Sequence, residues 1–176
     1  MTVVDLRKAR HDDAAAIARL HVDTWRTTYA GMLPDGLLLK MSLERQTRMW
    51  ERMLQEGETV IVADDRRVGP IGFGSYGPNR SGRDEFSGEV YTLYVAPDHQ
   101  SCGVGRGLLQ SLFGALAREG HETALIWVLA ENPSRFFYEA MGGHRIAERD
   151  TMMWGATVRE LAYGWADIRA VIGARA

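Results

Sequence analysis

The chain has 176 residues, of which 45% are hydrophobic and 25% are charged, and its formal net charge is −2. This length predicts a single domain over residues 1–176, and the balanced charge argues against nucleic-acid and membrane partners. The one cysteine, Cys102, excludes an internal disulfide and a multi-cysteine metal site. We therefore expect no metal and a reducing compartment.

The start of the chain is polar and charged, and no segment approaches the roughly 18 consecutive apolar residues of a membrane span. The expected location is therefore the cytoplasm. The first predicted element is a short strand over residues 2–9, where β-branched and polar residues alternate. Asp12 is a plausible N-cap for a helix over residues 13–30, and Gly31 supplies its end.

The following segments change from a helical to an extended pattern. A turn over residues 34–36 precedes a helix over 43–56, which ends at Gly57. Two strands over residues 59–64 and 70–77 then form a hairpin.

The second half of the chain alternates strands and helices. They are predicted as a strand over 89–96, a helix over 106–119, a strand over 123–130, a helix over 132–142 and two strands over 144–154 and 157–166. The order β-α-α-β-β-β-α-β-α-β-β predicts an α/β fold, with a mixed central sheet of about seven strands and helices on both faces.

A glycine-rich loop, "DHQSCGVGRG" over residues 98–107, lies between a strand and a helix. This arrangement binds phosphate through backbone N–H groups and the positive end of the helix. A Walker A loop is excluded because Arg106 follows Gly105 where that motif needs lysine. The dinucleotide fingerprint is weak because it requires glycine where Leu108 stands.

The pattern Gln100-x-x-Gly103-x-Gly105 resembles the acetyl-CoA pyrophosphate loop of the GNAT superfamily of N-acetyltransferases. The preceding strand, the following helix and the segment "NPSRFFYEAMGG" resemble the same family, so the strong resemblance covers residues 88–142. It implies the GNAT fold and direct transfer of an acetyl group from acetyl-CoA to a primary amine in a ternary complex. The alternative is a non-catalytic acyl-CoA-binding domain that serves as a sensor or a structural module.

The resemblance also implies which residues hold acetyl-CoA. The backbone N–H of Val95, or of its neighbour Tyr94, would stabilise the developing negative charge on the carbonyl oxygen. The implied binding residues are Leu93, Tyr94, Val95, Gln100, Ser101, Cys102, Gly103, Val104, Gly105, Arg106, Asn132 and Tyr138. We interpret Cys102 as a filler residue and not as a nucleophile, because no base is in evidence beside it.

Tyr138 takes the place of the family's tyrosine near the coenzyme sulfur. A phenol with a pKa of about 10 is neutral at pH 7 and can donate its proton to a leaving thiolate. The alternative is a core aromatic residue. Phe136, Phe137 and Tyr138 are consecutive, however, so they cannot all face the core, and the spacing to Met141 predicts that Phe137 is the buried one.

Glu89 is the candidate general base, by its resemblance to a glutamate found in many relatives. The alternatives are a solvated carboxylate at the start of a strand, or a reaction without a dedicated base. His21 lies on an apolar helix face, where a structural histidine is expected. Asn132 has two compatible roles, as a coenzyme contact and as an N-cap before Pro133.

Trp25 and Tyr29 are candidate residues of the acceptor pocket, and core packing is their alternative role. The partner is expected to be a small-molecule or peptide amine, and a homodimer is possible. One departure from the family pattern concerns the acceptor. Relatives commonly carry an aromatic residue after Gly142, whereas Gly143 and His144 stand here, which predicts a looser edge of the pocket.

Overall fold

A computed structural model describes residues 4–153 and 155–173. The strands are β1 (Val4–Lys8), β2 (Thr59–Asp65), β3 (Gly69–Pro78), β4 (Gly88–Val95), β5 (Ala124–Leu129), β6 (His144–Met153) and β7 (Ala156–Trp165). The helices are α1 (Ala14–Thr28), α2 (Asp35–Leu39), α3 (Leu43–Gln55), α4 (Val104–Arg118), α5 (Ser134–Ala140) and α6 (Ile168–Ile172).

The strands form one seven-stranded sheet in the order β1-β2-β3-β4-β5-β7-β6. Neighbouring strands run antiparallel in the pairs β1–β2, β2–β3, β5–β7 and β7–β6, whereas β4 and β5 run parallel. The predicted α/β fold with a mixed sheet is confirmed. Two ends of the predicted strands, residues 2–3 and Trp154, lie outside the described residues.

The boundaries of the predicted helices differ from the structure by at most about two residues, and two short helices, α2 and α6, were not predicted. Helix α1 begins at Ala14 with Asp13, not Asp12, at its N-terminus. The Asp13 carboxylate accepts a hydrogen bond from the Arg10 backbone N–H at 2.6 Å, and the side chain of Arg7 lowers its pKa. The turn predicted over residues 34–36 is wrong for Asp35 and Gly36, which begin α2, where the Asp35 carboxylate suits the positive end of the helix. Helix α6 was not predicted, although Asp167 caps it.

The first of two compact units comprises Met1–Tyr76 and Thr92–Leu112. Its core lies between α1, α3 and the strands β2 and β3, where apolar side chains are almost fully buried. The largest of them are Ile17, Trp50, Val60 and Phe73. The glycine-rich loop belongs to this unit.

The second unit comprises Gly77–Tyr91 and Phe113–Ala176. Strands β5, β7 and β6 form its sheet, and the rings of Phe113 and Trp165 pack edge to face with centroids 5.0 Å apart. The single domain expected over residues 1–176 stays a prediction. No helix within residues 4–153 and 155–173 is both long and apolar enough to cross a membrane.

Candidate active site

The glycine-rich loop of the first unit has two residues in the left-handed backbone region. Ser101 has φ +60° and Gly103 has φ +84°, and the side-chain amide of Gln100 donates a hydrogen bond to the Val95 carbonyl at 3.0 Å. A Cβ placed on Gly103 would meet no heavy atom within 4 Å. Gly103 is therefore required by its backbone conformation, and the space above it is open.

Helix α4 begins directly after this turn, at Val104. The Gly107 N–H donates to the Gly103 carbonyl at 3.0 Å, so the N–H groups of Val104, Gly105 and Arg106 precede the first helical hydrogen bond. Gly105 thus lies in the first helical turn, and Ser101 and Gly103 form the tight turn before it. Free N–H groups at a helix N-terminus, next to a strained and exposed turn, fit a pyrophosphate.

The exposure of the loop residues fits the same role. Ser101, Cys102, Gly103 and Arg106 are exposed, whereas Val104 is buried and anchors the helix. Cys102 is a free thiol. The loop therefore presents backbone and one guanidinium group to solvent.

Strand β4 is half-buried over residues 91–95 although it lies in the middle of the strand order. The Ala96 N–H bonds to the Ile71 carbonyl on the side of β3 at 2.8 Å. Because N–H groups alternate along a strand, the N–H groups of Val95 and Leu93 point away from β3. Sequence reasoning left Tyr94 and Val95 as alternatives, and this alternation favours Val95 as the donor.

The side chain of Tyr94 belongs to a group of aromatic rings around His21, which we call the histidine cluster: His21, Trp25, Trp50, Phe73 and Tyr94. Trp25 Nε1 donates to the Tyr94 hydroxyl at 2.9 Å, and Trp50 Nε1 donates to His21 Nδ1 at 3.2 Å. Burial lowers the pKa of His21 to about 4. The expected structural role of this histidine is confirmed.

Trp25 and Tyr29 pack edge to face, with ring centroids 4.8 Å apart. Each side chain is only 8% exposed. This burial fits core packing, the alternative role of the pair, and their contact with an acceptor stays a prediction.

In the second unit, Glu89 lies on β4 and is almost fully buried, at 9% exposure. Its Oε2 accepts a hydrogen bond from the Arg80 backbone N–H at 2.7 Å. Burial raises the pKa of the Glu89 carboxyl, against the opposing effects of the Arg80 N–H and of the Arg80 and Arg149 charges. The fully solvated carboxylate considered from the sequence is therefore excluded, and the group has the raised pKa that a general base needs.

The pairing of β4 with β5 places Glu89 on a particular face of the sheet. Glu89 lies opposite Leu125, and side chains alternate along a strand, so Glu89, Leu125, Trp127 and Leu129 share one face. Pairing between β4 and β5 covers Gly88–Ala124 and Glu89–Leu125 and, among the described residues, goes no further along β4.

Two further charged residues lie on the Glu89 face. Glu160 of β7 is opposite Leu129, and Arg149 of β6 is opposite Glu160. Arg149 Nε donates to Glu160 Oε2 at 2.8 Å, and its guanidinium carbon lies 3.9 Å from the ring centre of Trp127. We call Glu89, Trp127, Arg149 and Glu160 the Glu89 cluster.

Tyr138 is buried at 4% exposure, whereas Phe137 is only half-buried. The expectation that Phe137 is the buried aromatic residue of this helix is wrong. The reason is that the ring of Tyr138 packs on β7, with ring centroids 6.2 Å from Tyr163 and 6.3 Å from Trp165. Sequence spacing within α5 does not reveal this contact with another strand.

Two hydrogen bonds fix α5 against β7. The Tyr163 hydroxyl donates to Glu139 Oε1 at 2.7 Å, and Trp165 Nε1 donates to the Met141 carbonyl at 2.9 Å. Tyr163 and Trp165 alternate with the residues of β7 that share the Glu89 face. Tyr138 and Glu89 therefore lie on opposite faces of the sheet.

Asn132 is buried at 5% exposure, and its Oδ1 accepts a hydrogen bond from the Ser134 N–H at 2.9 Å. The N-cap of α5 is Pro133, so the predicted cap, Asn132, lies one residue before the observed cap position, although its oxygen still accepts from the first N–H of the helix. Its contact with the coenzyme stays a prediction.

The sequence predicts that Gly143 loosens the edge of the pocket, and the packing around this residue does not support that prediction. A Cβ at this position would lie 2.7 Å from the indole of Trp165 and 2.9 Å from the Tyr138 carbonyl. Trp165 thus fills the space beside residue 143, and glycine is required there by close packing.

Within residues 4–153 and 155–173, no group of three or more His, Cys, Asp or Glu side chains could hold a metal ion. The sequence does not single out Trp127, Arg149 and Glu160, the other members of the Glu89 cluster. Each lies on a different strand, so only the sheet register brings them together. No signal in a single sequence gives that register.

Comparisons with known proteins agree with this geometry. A profile of the acetyltransferase (GNAT) family matches residues 9–143. YuaI, an uncharacterised N-acetyltransferase of Bacillus subtilis, is 34% identical over 169 residues, which are 96% of this chain and 96% of YuaI.

Two solved structures share the fold. A GCN5-related N-acetyltransferase from Rhodopseudomonas palustris has a TM-score of 0.73 and 20% identity, over 93% of this chain and 96% of its own. An acetyltransferase from Salmonella typhimurium, solved with its cofactor acetyl-CoA, has a TM-score of 0.69 and 21% identity, over 99% of this chain and 97% of its own.

Proposed function

This chain belongs to the acetyltransferase (GNAT) family and is an N-acetyltransferase, and we propose that it transfers an acetyl group from acetyl-CoA to a primary amine. The amine attacks the thioester directly while both substrates are bound. The conformation of the glycine-rich loop carries this proposal, because Ser101 and Gly103 turn the backbone directly before N–H groups that precede the first helical hydrogen bond, and the space beside Gly103 is open.

In this proposal, the loop from Gln100 to Arg106 holds the pyrophosphate through its N–H groups and the Arg106 guanidinium. Leu93 and Val95 bind the pantetheine amides as an added strand would, because their N–H groups point away from β3. Acetyl-CoA supplies an activated acetyl group, and the Val95 N–H stabilises the negative charge that develops on its carbonyl oxygen.

The proton transfers are assigned to two side chains on opposite faces of the sheet. Glu89 accepts the proton of the attacking amine, directly or through a water molecule, as the new C–N bond forms and the C–S bond breaks. Tyr138 donates its phenolic proton to the leaving sulfur.

The raised pKa of Glu89 supports an enzyme over the alternative, a non-catalytic acyl-CoA sensor, because binding alone needs no such group. The identity of the acceptor, a contact of Trp25 and Tyr29 with it, a homodimer and a cytoplasmic location stay predictions.

The proposal is tested by thermal unfolding with and without acetyl-CoA, with NAD and ATP as comparison ligands. A ligand at a hundred times its Kd adds about 2.7 kcal/mol, which raises the Tm by several degrees. A dose-dependent rise with acetyl-CoA alone, followed by release of free CoA when an amine is added, supports the proposal. Binding without release of CoA for any amine supports the sensor instead.

A pair of variants tests the loop itself. Gly103→Ala forces a side chain into a left-handed position at the proposed pyrophosphate, and Gly57→Ala forces the same conformation, φ +94°, at the end of α3. Neither new Cβ meets a protein atom within 4 Å, so the backbone strain is matched. Gly103→Ala should weaken acetyl-CoA binding at least about tenfold and Gly57→Ala should not. Equal affinities would refute the loop assignment.

A further inference from the structure

The proposed chemistry leaves two hydrogen-bond donors of the Glu89 cluster unused. Trp127 Nε1 is buried and, in the part of the chain that the structure describes, donates to no acceptor. A buried donor without an acceptor is unfavourable, and native proteins rarely keep one without a reason. A ligand oxygen at this position would satisfy it.

The second donor is the guanidinium of Arg149. It contacts Glu160 through Nε alone, so its two terminal amino groups extend past that contact. The side chain is 44% exposed, whereas that of Glu160 is 11% exposed. Glu160 thus holds Arg149 in place, and the exposed end of the guanidinium has the planar geometry that binds a carboxylate through two N–H groups.

The two donors lie next to each other. The guanidinium carbon of Arg149 is 3.9 Å from the ring centre of Trp127, and both residues share the sheet face of Glu89. This face therefore offers a carboxylate at Glu89, where the attacking amine loses its proton, and a cationic end at Arg149. The Arg149 charge lies close enough to act on the Glu89 carboxyl, so the arrangement is complementary to a molecule that carries both an amine and a carboxylate.

Resting on the proposed function, we propose that the acceptor is an amino acid, whose carboxylate Arg149 and Trp127 Nε1 recognise while Glu89 receives the amine. Both are specificity-determining residues and neither takes part in proton transfer. A diamine fits less well, because its second ammonium group would meet the Arg149 guanidinium at short range.

The experiment compares matched acceptors at fixed acetyl-CoA and measures release of the CoA thiol. The probes are alanine, leucine and phenylalanine, each with its amide and its decarboxylated amine, together with the diamine putrescine. We expect kcat/KM to be at least about tenfold higher for one or more amino acids than for the matching decarboxylated amine. Equal or faster turnover of the decarboxylated amines or of putrescine overturns the inference and leaves the proposed function intact.

Variants of Arg149 and Trp127 test whether these two side chains cause the preference for an amino acid over its decarboxylated amine. Arg149→Gln should reduce the preference for the amino acid to near unity, mainly through KM, and Trp127→Phe should reduce it several-fold while keeping the ring. The matched control is Arg145→Gln, since Arg145 is an exposed arginine of the same strand that pairs with Glu148. An unchanged preference in Arg149→Gln overturns the inference.

One result separates this inference from the proposed function. If acetyl-CoA raises the Tm but no amine of any class releases CoA, the transferase proposal fails and the amino-acid inference fails with it. If amines without a carboxylate are acetylated well, only the inference fails.

Discussion

Each unit of the molecule contains a buried titratable side chain whose pKa is shifted toward its neutral form by burial, His21 in the first and Glu89 in the second. In the first unit, burial lowers the pKa of His21 to about 4, and in the second unit, burial raises the pKa of Glu89. The neighbours of these two side chains differ. Aromatic rings surround His21, and Trp50 satisfies its Nδ1. Glu89 shares a sheet face with charged groups and with Trp127 Nε1, a buried donor that has no acceptor within residues 4–153 and 155–173.

This difference separates a structural group from a chemical one. A buried group with a satisfied hydrogen bond and apolar neighbours gains nothing from changing its charge, so it stabilises the fold in one protonation state. A buried group that shares its sheet face with charged side chains can change its charge when a substrate binds.

The largest expected effect is on catalysis, in Glu89→Gln. The amide keeps the shape but accepts no proton, so kcat/KM should fall by roughly 10²–10⁴. In the wild type, activity should fall as the pH drops through the raised pKa of Glu89, and the variant should lose this dependence. Initial rates across about pH 5–9 measure both effects.

The same variant gives a stability readout. Because the folded pKa of Glu89 is raised, its protonated form stabilises the fold at low pH, and that contribution is lost as the pH rises through the folded pKa. At pH 7 Glu89→Gln should therefore keep or raise the Tm. A large fall in Tm would mean that Glu89 is structural, as His21 is.

A second effect on catalysis is expected on the opposite sheet face, in Tyr138→Phe. Loss of the phenolic proton should lower kcat by roughly 10² with nearly unchanged affinity for acetyl-CoA. Tyr163→Phe is the matched control, since it removes a neighbouring hydroxyl that bonds to Glu139 and should lower stability by about 1 kcal/mol with a smaller change in kcat. An unchanged kcat in Tyr138→Phe would remove this residue from the mechanism.

The histidine cluster should affect the free energy of unfolding at acidic pH. His21 has a folded pKa below its ordinary value of 6.5, so its stabilising contribution is complete above pH 6.5 and is lost as the pH falls toward 4. The loss should reach about 3 kcal/mol, by the relation between a pKa shift and free energy. Urea unfolding of the wild type and of His21→Gln at a series of pH values measures it. If the free energy of unfolding depended on pH in the same way in the wild type and in His21→Gln, the structural role of His21 would be contradicted.

The smallest expected effect is a difference in the free energy of unfolding between variants of two tryptophans. Trp50→Phe and Trp127→Phe each remove an indole N–H, but only that of Trp50 has a protein acceptor, His21. Trp50→Phe should therefore destabilise the protein by about 1 kcal/mol more than Trp127→Phe in the absence of substrate. Urea unfolding at neutral pH provides the comparison, and an equal loss would mean that the Trp127 N–H is satisfied.

The sequence predicts the elements whose signals are local. The glycine-rich loop, its flanking strand and helix, and the cap at Asn132 all depend on residues close together in the chain, and the structure places each of them within about two residues. The start of α1 was displaced from Asp12 to Asp13 because Arg7 and Arg10 hold the Asp13 carboxylate.

The parts that depend on pairing between distant strands were not predictable. Tyr138 is the buried aromatic residue of α5 because of rings on β7, and no spacing within the helix encodes them. Trp127 and Arg149 meet only because β7 sets the register between their strands. A single sequence carries the pattern of each strand but not the alignment between strands.

The close approach of Gly143 and Trp165 shows that the packing fixes the total side-chain volume at this point in the fold and not the size of either residue alone. An aromatic residue after Gly142 and a small residue on β7 would fill the same space as the pair present here. The two positions should therefore change together during divergence, with one large and one small partner in every functional lineage. A sequence alignment that considers residue 143 or residue 165 alone would therefore show a substitution, although the two side chains together fill the same volume.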